Sequence, residues 1–446
     1  MQVSPPRGLA YVAVWRWHFL AALIVIPFVL WQATTGTLYL WSEWWMDITH
    51  PALRFVAPVA HHLPPSQQIE AALNTLPRGV GFPAQAHAHA TAPPAQEEAA
   101  ATASTTAEGP PILDILVADD PARSTIVLWQ AASGLPAPIF IDPNNAHVLG
   151  TLTAAQWMPG WSRAMHGGWP LGRAGSWLLE LGDCWAIVMI LTGWYLWWPR
   201  SRGVLAALWP RWRAGPRTLA RDLHASVALL FSGVFFFFLL SALPWTSFWG
   251  GEILSRVQSA MAQDSPAGFS VGGVPAGGLR AALQSVDAVV GAARNAGVTG
   301  VLSIRLAAAP GAPLFLTNRT ERVADDRIVT GDAQTGRTTG DYRNDDLPMI
   351  PRLIAIGVHV HQGDFGAANV WLNTALATAL IWLSGTGLAS WWIRRPSGRS
   401  GIPPRTRVRW SVSLGVGVGV LCVVLPIFGA SALLFGILGQ AFRQRA

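Results

Sequence analysis

Four of the eleven histidines form two pairs that could each hold an iron-containing cofactor. His18 and His224 each open a long apolar stretch, whereas His166 and His361 each come shortly before one. Because ionisable side chains are costly near a bilayer interior, those found there are candidates for function. Two neutral imidazoles that face each other at one depth can bind the two faces of a haem iron. The sequence therefore predicts two haem sites, one at each pair.

His359 competes with His361 for the second of these sites. The two are so close in the sequence that on a helix they would point to nearly opposite faces, and only one of them could bind the same iron. We favour His361 because residues 361–366 (HQGDFG) correspond in position to residues 166–172 (HGGWPLG). His359 remains a substitute ligand, or the ligand of a further group.

The cysteine content and the nearby arginines indicate which type of haem these histidines could bind. Cys184 and Cys422 are the only cysteines and no Cys-x-x-Cys-His motif occurs, so a haem would be held by axial ligands and packing, as b-type haems are. Arg16, Arg163 and Arg221 lie near the histidines in the sequence and are predicted to neutralise haem propionates. The residues together predict two b-type haems as cofactors.

Helices that cross a membrane would position these residues. The chain has 446 residues, of which 51% are hydrophobic, 12% are charged and 24 are tryptophans, a composition outside that of ordinary soluble proteins. Its net charge of +7 comes from arginines without any lysine, and their placement in loops gives no sign of a nucleic-acid surface. Stretches near the length of about 20 residues that crosses a bilayer predict five spans. The apolar stretches are about 18–41, 177–198, 223–245, 370–392 and 408–438, within the predicted membrane segments 10–41, 166–200, 222–245, 359–394 and 408–438.

The arginines indicate how the chain would be oriented. They concentrate in and beside the short connections at 201–221 and 395–407, which the positive-inside rule places in the cytoplasm. The N-terminus would then be cytoplasmic, and the long connections at 42–165 and 246–358 would be periplasmic, in the inner membrane of a bacterium. Pro426 interrupts the fifth stretch, so a complete fifth crossing is left open.

An internal repeat connects the two halves of the chain. The pattern Thr-Gly-x-x-x-Trp-Trp begins at Thr192 and again at Thr386, and His166 and His361 precede these threonines by 26 and 25 residues. This spacing predicts a duplication in which each copy runs from a helix through a periplasmic α+β module to a second helix. The first module also carries a flexible insertion at about 83–111. Predicted module helices are 65–76 and 276–296, and predicted strands are 124–130, 139–141, 301–306 and 314–317.

Several short stretches together resemble the PepSY-associated transmembrane helix family, which includes inner-membrane iron-uptake proteins and ferrisiderophore reductases. They are residues 15–19 (WRWHF), 191–200 (LTGWYLWWPR), 221–224 (RDLH) and 361–366 with the Trp391-Trp392 pair. The resemblance covers about residues 10–396. It implies a bundle of four core membrane helices plus a C-terminal fifth, two periplasmic PepSY-like modules, and a dihaem core with bis-histidine ligation. In the siderophore-linked members it implies reduction of the ferric complex on the periplasmic side.

The leading hypothesis is a transmembrane oxidoreductase of the ferric-chelate or ferrisiderophore reductase type. Electrons would pass from the His18–His224 site to the His166–His361 site and then to the ferric chelate. No phosphate-binding loop, Rossmann fingerprint or nucleophile elbow occurs, so a cytoplasmic protein or a quinol would have to supply the electrons. An alternative is a non-catalytic PepSY-type membrane sensor or partner-binding module. A permease for iron is a third hypothesis, although few polar residues fall in the spans.

Overall fold

The computed structural model describes most of the chain, namely residues 9–59, 61–76, 112–168, 171–198, 208–264, 283–306, 313–398, 400–404 and 412–444. The predicted insertion at 83–111, the start of the predicted helix at 276–296, and parts of the two arginine-rich connections lie outside the described residues. The chain divides into two compact units, which are described separately. The helical unit is Met1–Thr34, Trp177–Leu243 and Thr374–Ala446, and the sheet unit is Thr35–Ser176 and Pro244–Asn373.

The described part of the chain contains four helices that are long and apolar enough to cross a membrane, and this confirms that the protein is a multi-pass membrane protein. They are Ala10–Leu40, Gly172–Trp197, Pro216–Trp245 and Ala367–Arg394. All the described α-helices are α1 (Leu9–Leu40), α2 (Ser42–Thr49), α3 (Pro51–Arg54), α4 (Pro65–Thr75), α5 (Met158–His166), α6 (Gly172–Trp197), α7 (Pro216–Ala242), α8 (Ser255–Ala260), α9 (Leu283–Asn295), α10 (Met349–Gln362), α11 (Ala367–Arg394), α12 (Val412–Val424) and α13 (Pro426–Gln444).

The fifth predicted span differs from an uninterrupted helix. Its residues form α12 and α13, which meet at a bend of 119° and are apolar and long enough for a span only when taken together. Pro426 causes the break, because it has no N–H to donate and its ring would clash with the carbonyl of Cys422 in a continued helix. Gly429 completes the corner, since a Cβ at this position would lie 3.0 Å from the Cys422 carbonyl oxygen.

Side chains of the spans pack together inside the helical unit. The Trp185 indole is buried, lies 5.1 Å from the Phe428 ring centroid and donates a hydrogen bond of 3.0 Å to the Ser431 hydroxyl. This contact fixes α13 against α6. Phe235 of α7 is buried in a second cluster with Leu376 of α11. These contacts fix the rotation of α6, α7 and α11 about their helix axes. This rotation determines which side chains face one another.

The sheet unit is built on a single antiparallel sheet of eight described strands in the order β4-β3-β2-β1-β5-β6-β7-β8. The chain contributes the sheet in two halves, each a helix followed by four strands that pair in sequence order. The halves join through β1 and β5, where Ile115 is opposite Ile304. The strands are β1 (Ile112–Val117), β2 (Thr125–Gln130), β3 (Pro136–Ile141), β4 (Val148–Thr151), β5 (Val301–Arg305), β6 (Pro313–Arg319), β7 (Arg327–Asp332) and β8 (Thr338–Arg343).

The two halves also share one hydrophobic core. Ile69 of α4 and Val289 of α9 are both fully buried in it, together with residues from the central strands. Pairing β1 with β5 removes an exposed edge from each half, and exposed edges invite association with other chains. The structure therefore joins in one sheet the strands that the sequence analysis assigned to two modules. Strands β2, β3, β5 and β6 match the four predicted strands, and β1, β4, β7 and β8 were not predicted.

Candidate functional site

His18 lies in α1 of the helical unit, and its ring is held by a threonine of α6. The His18 Nδ1 atom is 3.0 Å from the Thr192 Oγ1 atom. The Thr192 hydroxyl donates its own hydrogen to a carbonyl of its helix, at 2.9 Å from Val188 O. A hydroxyl has one hydrogen to give, so Thr192 must accept and His18 Nδ1 must donate. The Nε2 atom of His18 is then left with a lone pair that can bind a metal.

His224 of α7 is held in the same way by α11. Its Nδ1 atom is 3.2 Å from Thr386 Oγ1 and 3.1 Å from the carbonyl oxygen of Leu383. The Thr386 hydroxyl donates to Trp382 O at 2.8 Å, and a carbonyl can only accept. Both partners therefore require a hydrogen on His224 Nδ1, and its Nε2 atom also carries a lone pair. His18 has a matching backbone contact to Met189, three residues before its threonine.

A glycine follows each of these threonines and lies against the histidine ring. A Cβ added at Gly193 would be 3.4 Å from the Cε1 atom of His18, and one at Gly387 would be 3.5 Å from the Cε1 atom of His224. His18 and His224 lie within the range of mutual electrostatic interaction. The helical unit thus brings the first predicted pair together, with each ring resting on a Thr-Gly step of a neighbouring helix.

The sheet unit contains a third Thr-Gly step with a histidine against it. The Nδ1 atom of His166, at the end of α5, is 3.0 Å from the Oγ1 atom of Thr35. A Cβ at Gly36 would lie 3.1 Å from His166 Cε1, which is tighter than the two glycine contacts in the helical unit. The ring of His166 is therefore held by the same dipeptide as the rings of His18 and His224.

The structure also brings His361 next to His166. Their ring centroids are 6.0 Å apart and their planes are inclined by 64°. A metal–imidazole bond is about 2 Å long and the ring centre lies about 1 Å beyond the nitrogen, so imidazoles on opposite faces of one iron have centroids about 6 Å apart. Burial and the neighbouring His166 lower the pKa of His361 to about 3, which keeps this imidazole neutral, as a metal ligand must be.

The backbone around His361 is held by two asparagines at the start of α11. The Asn373 amide donates to the carbonyl oxygens of Val360 and His361 at 2.8 and 3.1 Å, and the Asn369 amide donates to Val360 O at 3.0 Å. Both asparagines are buried. Gly363 ends α10 in the left-handed conformation, with φ of 83°. These bonds satisfy carbonyls that a helix end leaves without intrahelical partners, and they fix the position of His361.

The ring of His359 does not join this pair but contacts the carboxylate of Asp326, which also belongs to the sheet unit. Its Nε2 atom is 2.5 Å from Asp326 Oδ2, and its Nδ1 atom donates to Ala355 O at 2.9 Å. Burial opposes protonation of His359, but the hydrogen bond and charge of Asp326 more than offset it, so the pKa of His359 is raised. Both ring nitrogens of His359 are thus engaged, and the geometry places His361, not His359, beside His166.

The three arginines of the sequence prediction occupy different surroundings. Arg16 donates to the carbonyl oxygen of Pro403, and Arg221 is exposed and pairs with the Asp222 carboxylate at 2.9 Å. Arg163 is exposed on α5, and its charge acts on Asp114. Their assignment to haem propionates remains a prediction.

Sequence reasoning missed the side chains that hold the histidines, which are Thr35, Thr192, Thr386, Asn369 and Asn373. The signal for three of them was present, because Thr-Gly occurs in the repeated motif and again at the end of the first span. In the described part of the chain, no group of three or more His, Cys, Asp or Glu side chains could hold a bare metal ion. Two imidazoles could still bind an iron if a porphyrin supplied its remaining ligands.

Comparison with known proteins gives one match. No curated protein is significantly similar to this chain. The model of the PepSY-associated TM region family matches residues 15–394, a range that includes both histidine pairs and the three Thr-Gly steps that contact histidine rings. This match spans well over half of the chain, and the protein therefore belongs to the PepSY-associated TM region family.

Proposed function

We propose that this protein is a dihaem b-type electron-transfer protein that reduces a ferric siderophore or another ferric chelate in the periplasm for iron uptake. The observation that carries the proposal is the pairing of His166 with His361 at a centroid distance of 6.0 Å. The second pair, His18 and His224, supports the proposal because a threonine of a neighbouring helix contacts the Nδ1 atom of each ring. Haem supplies one-electron redox chemistry when it is bound.

In this proposal the four histidines and the threonines that contact them each have a defined role. His18 and His224 bind one haem iron, and His166 and His361 bind the other, each through the Nε2 atom. Thr192 and Thr386 hold the opposite ring nitrogen, so the lone pair of Nε2 is directed at the iron. The four histidines are half-buried, and apolar side chains around them would favour retention of a flat, apolar macrocycle.

The proposed path of the electrons, from the cytoplasm to the periplasm, uses the orientation that the arginines predict. The connections at 201–221 and 395–407 would face the cytoplasm of a bacterium, and the sheet unit would face the periplasm. A cytoplasmic protein or a quinol would reduce the His18–His224 haem. His166 and His361, which both belong to the sheet unit, would hold the haem that supplies electrons to the ferric chelate on the periplasmic side. Reduction weakens the hold of such chelates on iron, which is what uptake requires.

We further propose that the chain arose by duplication of one unit with a PepSY-like module. Each half of the sheet contains a helix followed by four antiparallel strands. The ring supports repeat as well, because His18 contacts Thr192 and Met189 while His224 contacts Thr386 and Leu383, with the same separation between threonine and carbonyl. Such repeats build their sites where the copies meet.

A liposome experiment tests the proposed activity. Purified protein is inserted into liposomes that contain a trapped reductant, and a ferric chelate with a chromogenic ferrous trap is added outside. We expect ferrous iron to form outside with wild-type protein and not with His361→Ala, whereas His359→Ala should retain activity. Haem-loaded protein that forms no ferrous iron with any hydroxamate, catecholate or citrate chelate would contradict ferric reduction as the function.

A cavity in the sheet unit favours a second candidate, a partner-binding sensor. It has a volume of about 550 Å³ and lies beside α4 and β3, with Leu76, Trp129 and Ile139 among its lining residues. Pockets of this size and apolar lining accept small ligands or peptide side chains. A colourless preparation from haem-replete cells would favour this candidate. Uptake of labelled iron into liposomes without any reductant would favour a permease instead.

A further inference from the structure

We propose that Thr35, Thr192 and Thr386 are positioning residues that set the tautomer of three haem ligands and thereby the reduction potential of each haem. This inference rests on the proposed haem ligation. The carrying observation is that three separate threonines, on α1, α6 and α11, contact the Nδ1 atom of a paired histidine at 3.0, 3.0 and 3.2 Å. In each case a glycine follows and lies against the same ring.

The donor in two of these hydrogen bonds can be assigned, because each threonine hydroxyl has a single hydrogen to donate. The hydroxyls of Thr192 and Thr386 give their hydrogens to carbonyls four residues earlier in their own helices, at 2.9 and 2.8 Å. They can therefore only accept from the imidazoles. His224 has a second acceptor at Leu383 O, which reinforces the same tautomer. The helix that carries each threonine thus presents a preformed acceptor site for one imidazole N–H.

This arrangement has a consequence for the electronics of the ligand. An acceptor on Nδ1–H draws the hydrogen away from the ring and makes the Nε2 atom a more basic ligand. A more basic ligand stabilises ferric iron more than ferrous iron, so the hydrogen bond lowers the reduction potential of the haem. The threonines would therefore keep both haems sufficiently reducing to pass electrons onwards.

The experiment replaces each threonine by valine, which has nearly the same shape but no hydroxyl. Thr192→Val and Thr386→Val are expected to raise the midpoint potential of one and the same haem, and Thr35→Val that of the other. A tenfold loss of ferric over ferrous affinity corresponds to a rise of about 59 mV for a one-electron couple. Serine in place of each threonine should restore the wild-type potential, because it returns the acceptor oxygen.

Two exposed threonines on the same helices provide matched controls. Thr34 and Thr378 donate to carbonyls of their own helices, at 2.7 Å to Leu30 O and 2.8 Å to Thr374 O. Thr34→Val and Thr378→Val are expected to leave both potentials and the haem content unchanged. Electron paramagnetic resonance of the ferric haems provides a second readout, since the g values of the affected haem should change only in the three positioning variants.

The outcomes separate this inference from the proposed function. Haem-loaded variants with wild-type potentials and g values would overturn the role of the threonines and leave haem ligation intact. Equal shifts in the control variants, or no recovery with serine, would also overturn it. A wild-type protein without haem would instead overturn the proposed function on which the inference rests.

Discussion

The two histidine pairs differ in how their members are held. In the helical unit, His18 and His224 are both fixed at the ring, each by a Thr-Gly step of a neighbouring helix. In the sheet unit, His166 is fixed in the same way, and the backbone at His361 is held in addition by buried asparagines. A bond to the ring sets both its orientation and its tautomer, while a bond to the backbone sets only position. The second site thus adds a backbone support, from buried asparagines, to the ring support that the two sites share.

Removal of a candidate ligand from the second site gives the largest expected effect. His361→Ala should remove one of two haems, because His166 alone cannot supply both axial ligands. His359→Ala is the matched control, two residues away on the same helix, and should keep both haems because that ring is bonded to Asp326 and Ala355. Haem content per chain is measured by absorbance of the pyridine complex. Loss of haem from His359→Ala with retention in His361→Ala would reverse the assignment.

Removal of the backbone support should have an intermediate effect confined to the second site. Asn373→Leu removes the amide that donates to His361 O and one of the two amides that donate to Val360 O, and a buried polar group left without a partner costs about 1–3 kcal/mol. We expect a lower thermal midpoint for loss of the second haem and no change for the first. The transition is followed by the absorbance of each haem during heating. Equal destabilisation of both haems would show that Asn373 acts on the whole protein.

The glycines should give the smallest effects, and these should differ between the two units. A Cβ at Gly36 would lie 3.1 Å from His166, whereas Cβ atoms at Gly193 and Gly387 would lie at ordinary contact distances of 3.4 and 3.5 Å. Gly36→Ala should therefore shift the absorption maximum of the second haem, and Gly193→Ala and Gly387→Ala should leave the first unchanged. Gly233→Ala is a control, since no atom lies within 4 Å of its Cβ position.

Much of the membrane part could be predicted because its signal is local. A stretch of apolar residues specifies a membrane helix without reference to the rest of the chain, and the first four spans were identified on this basis. Pro426 was also recognised as an interruption of the fifth apolar run, but the 119° bend at this position was not predicted. The rotation of each helix about its axis could not be predicted from the sequence. This rotation is what brings Thr192 and Thr386 to face the histidines.

The sheet was harder to predict because its strands depend on distant partners. Strand β8 reads TTGDYR, with polar residues at positions that a core strand would fill with apolar ones, and β4 contains Gly150. Neither pattern alternates in the way that identifies a strand. The pairing of β1 with β5 joins segments nearly 190 residues apart, and it follows from the shared core around Ile69 and Val289.

The four histidines were predicted as candidate ligands from the sequence, but the side chains that hold them in place were not predicted. The choice of His361 over His359 came from the repeat, and the structure places His361 beside His166. Asn369 and Asn373 follow His361 by 8 and 12 residues, and no local motif connects an amide to a carbonyl at that separation. Such contacts depend on the turn at Gly363, which returns the chain onto the end of α10.

The central claim is that the four histidines bind two haems as two pairs, and haem stoichiometry tests it most directly. Iron and haem are measured in purified wild-type protein and in His18→Ala, His224→Ala and the double variant, together with reduced-minus-oxidised spectra. We expect two b-type haems in the wild type and one in each of the three variants, with the same spectrum remaining. A colourless wild type, or a double variant that loses both haems while the single variants lose different ones, would contradict the account.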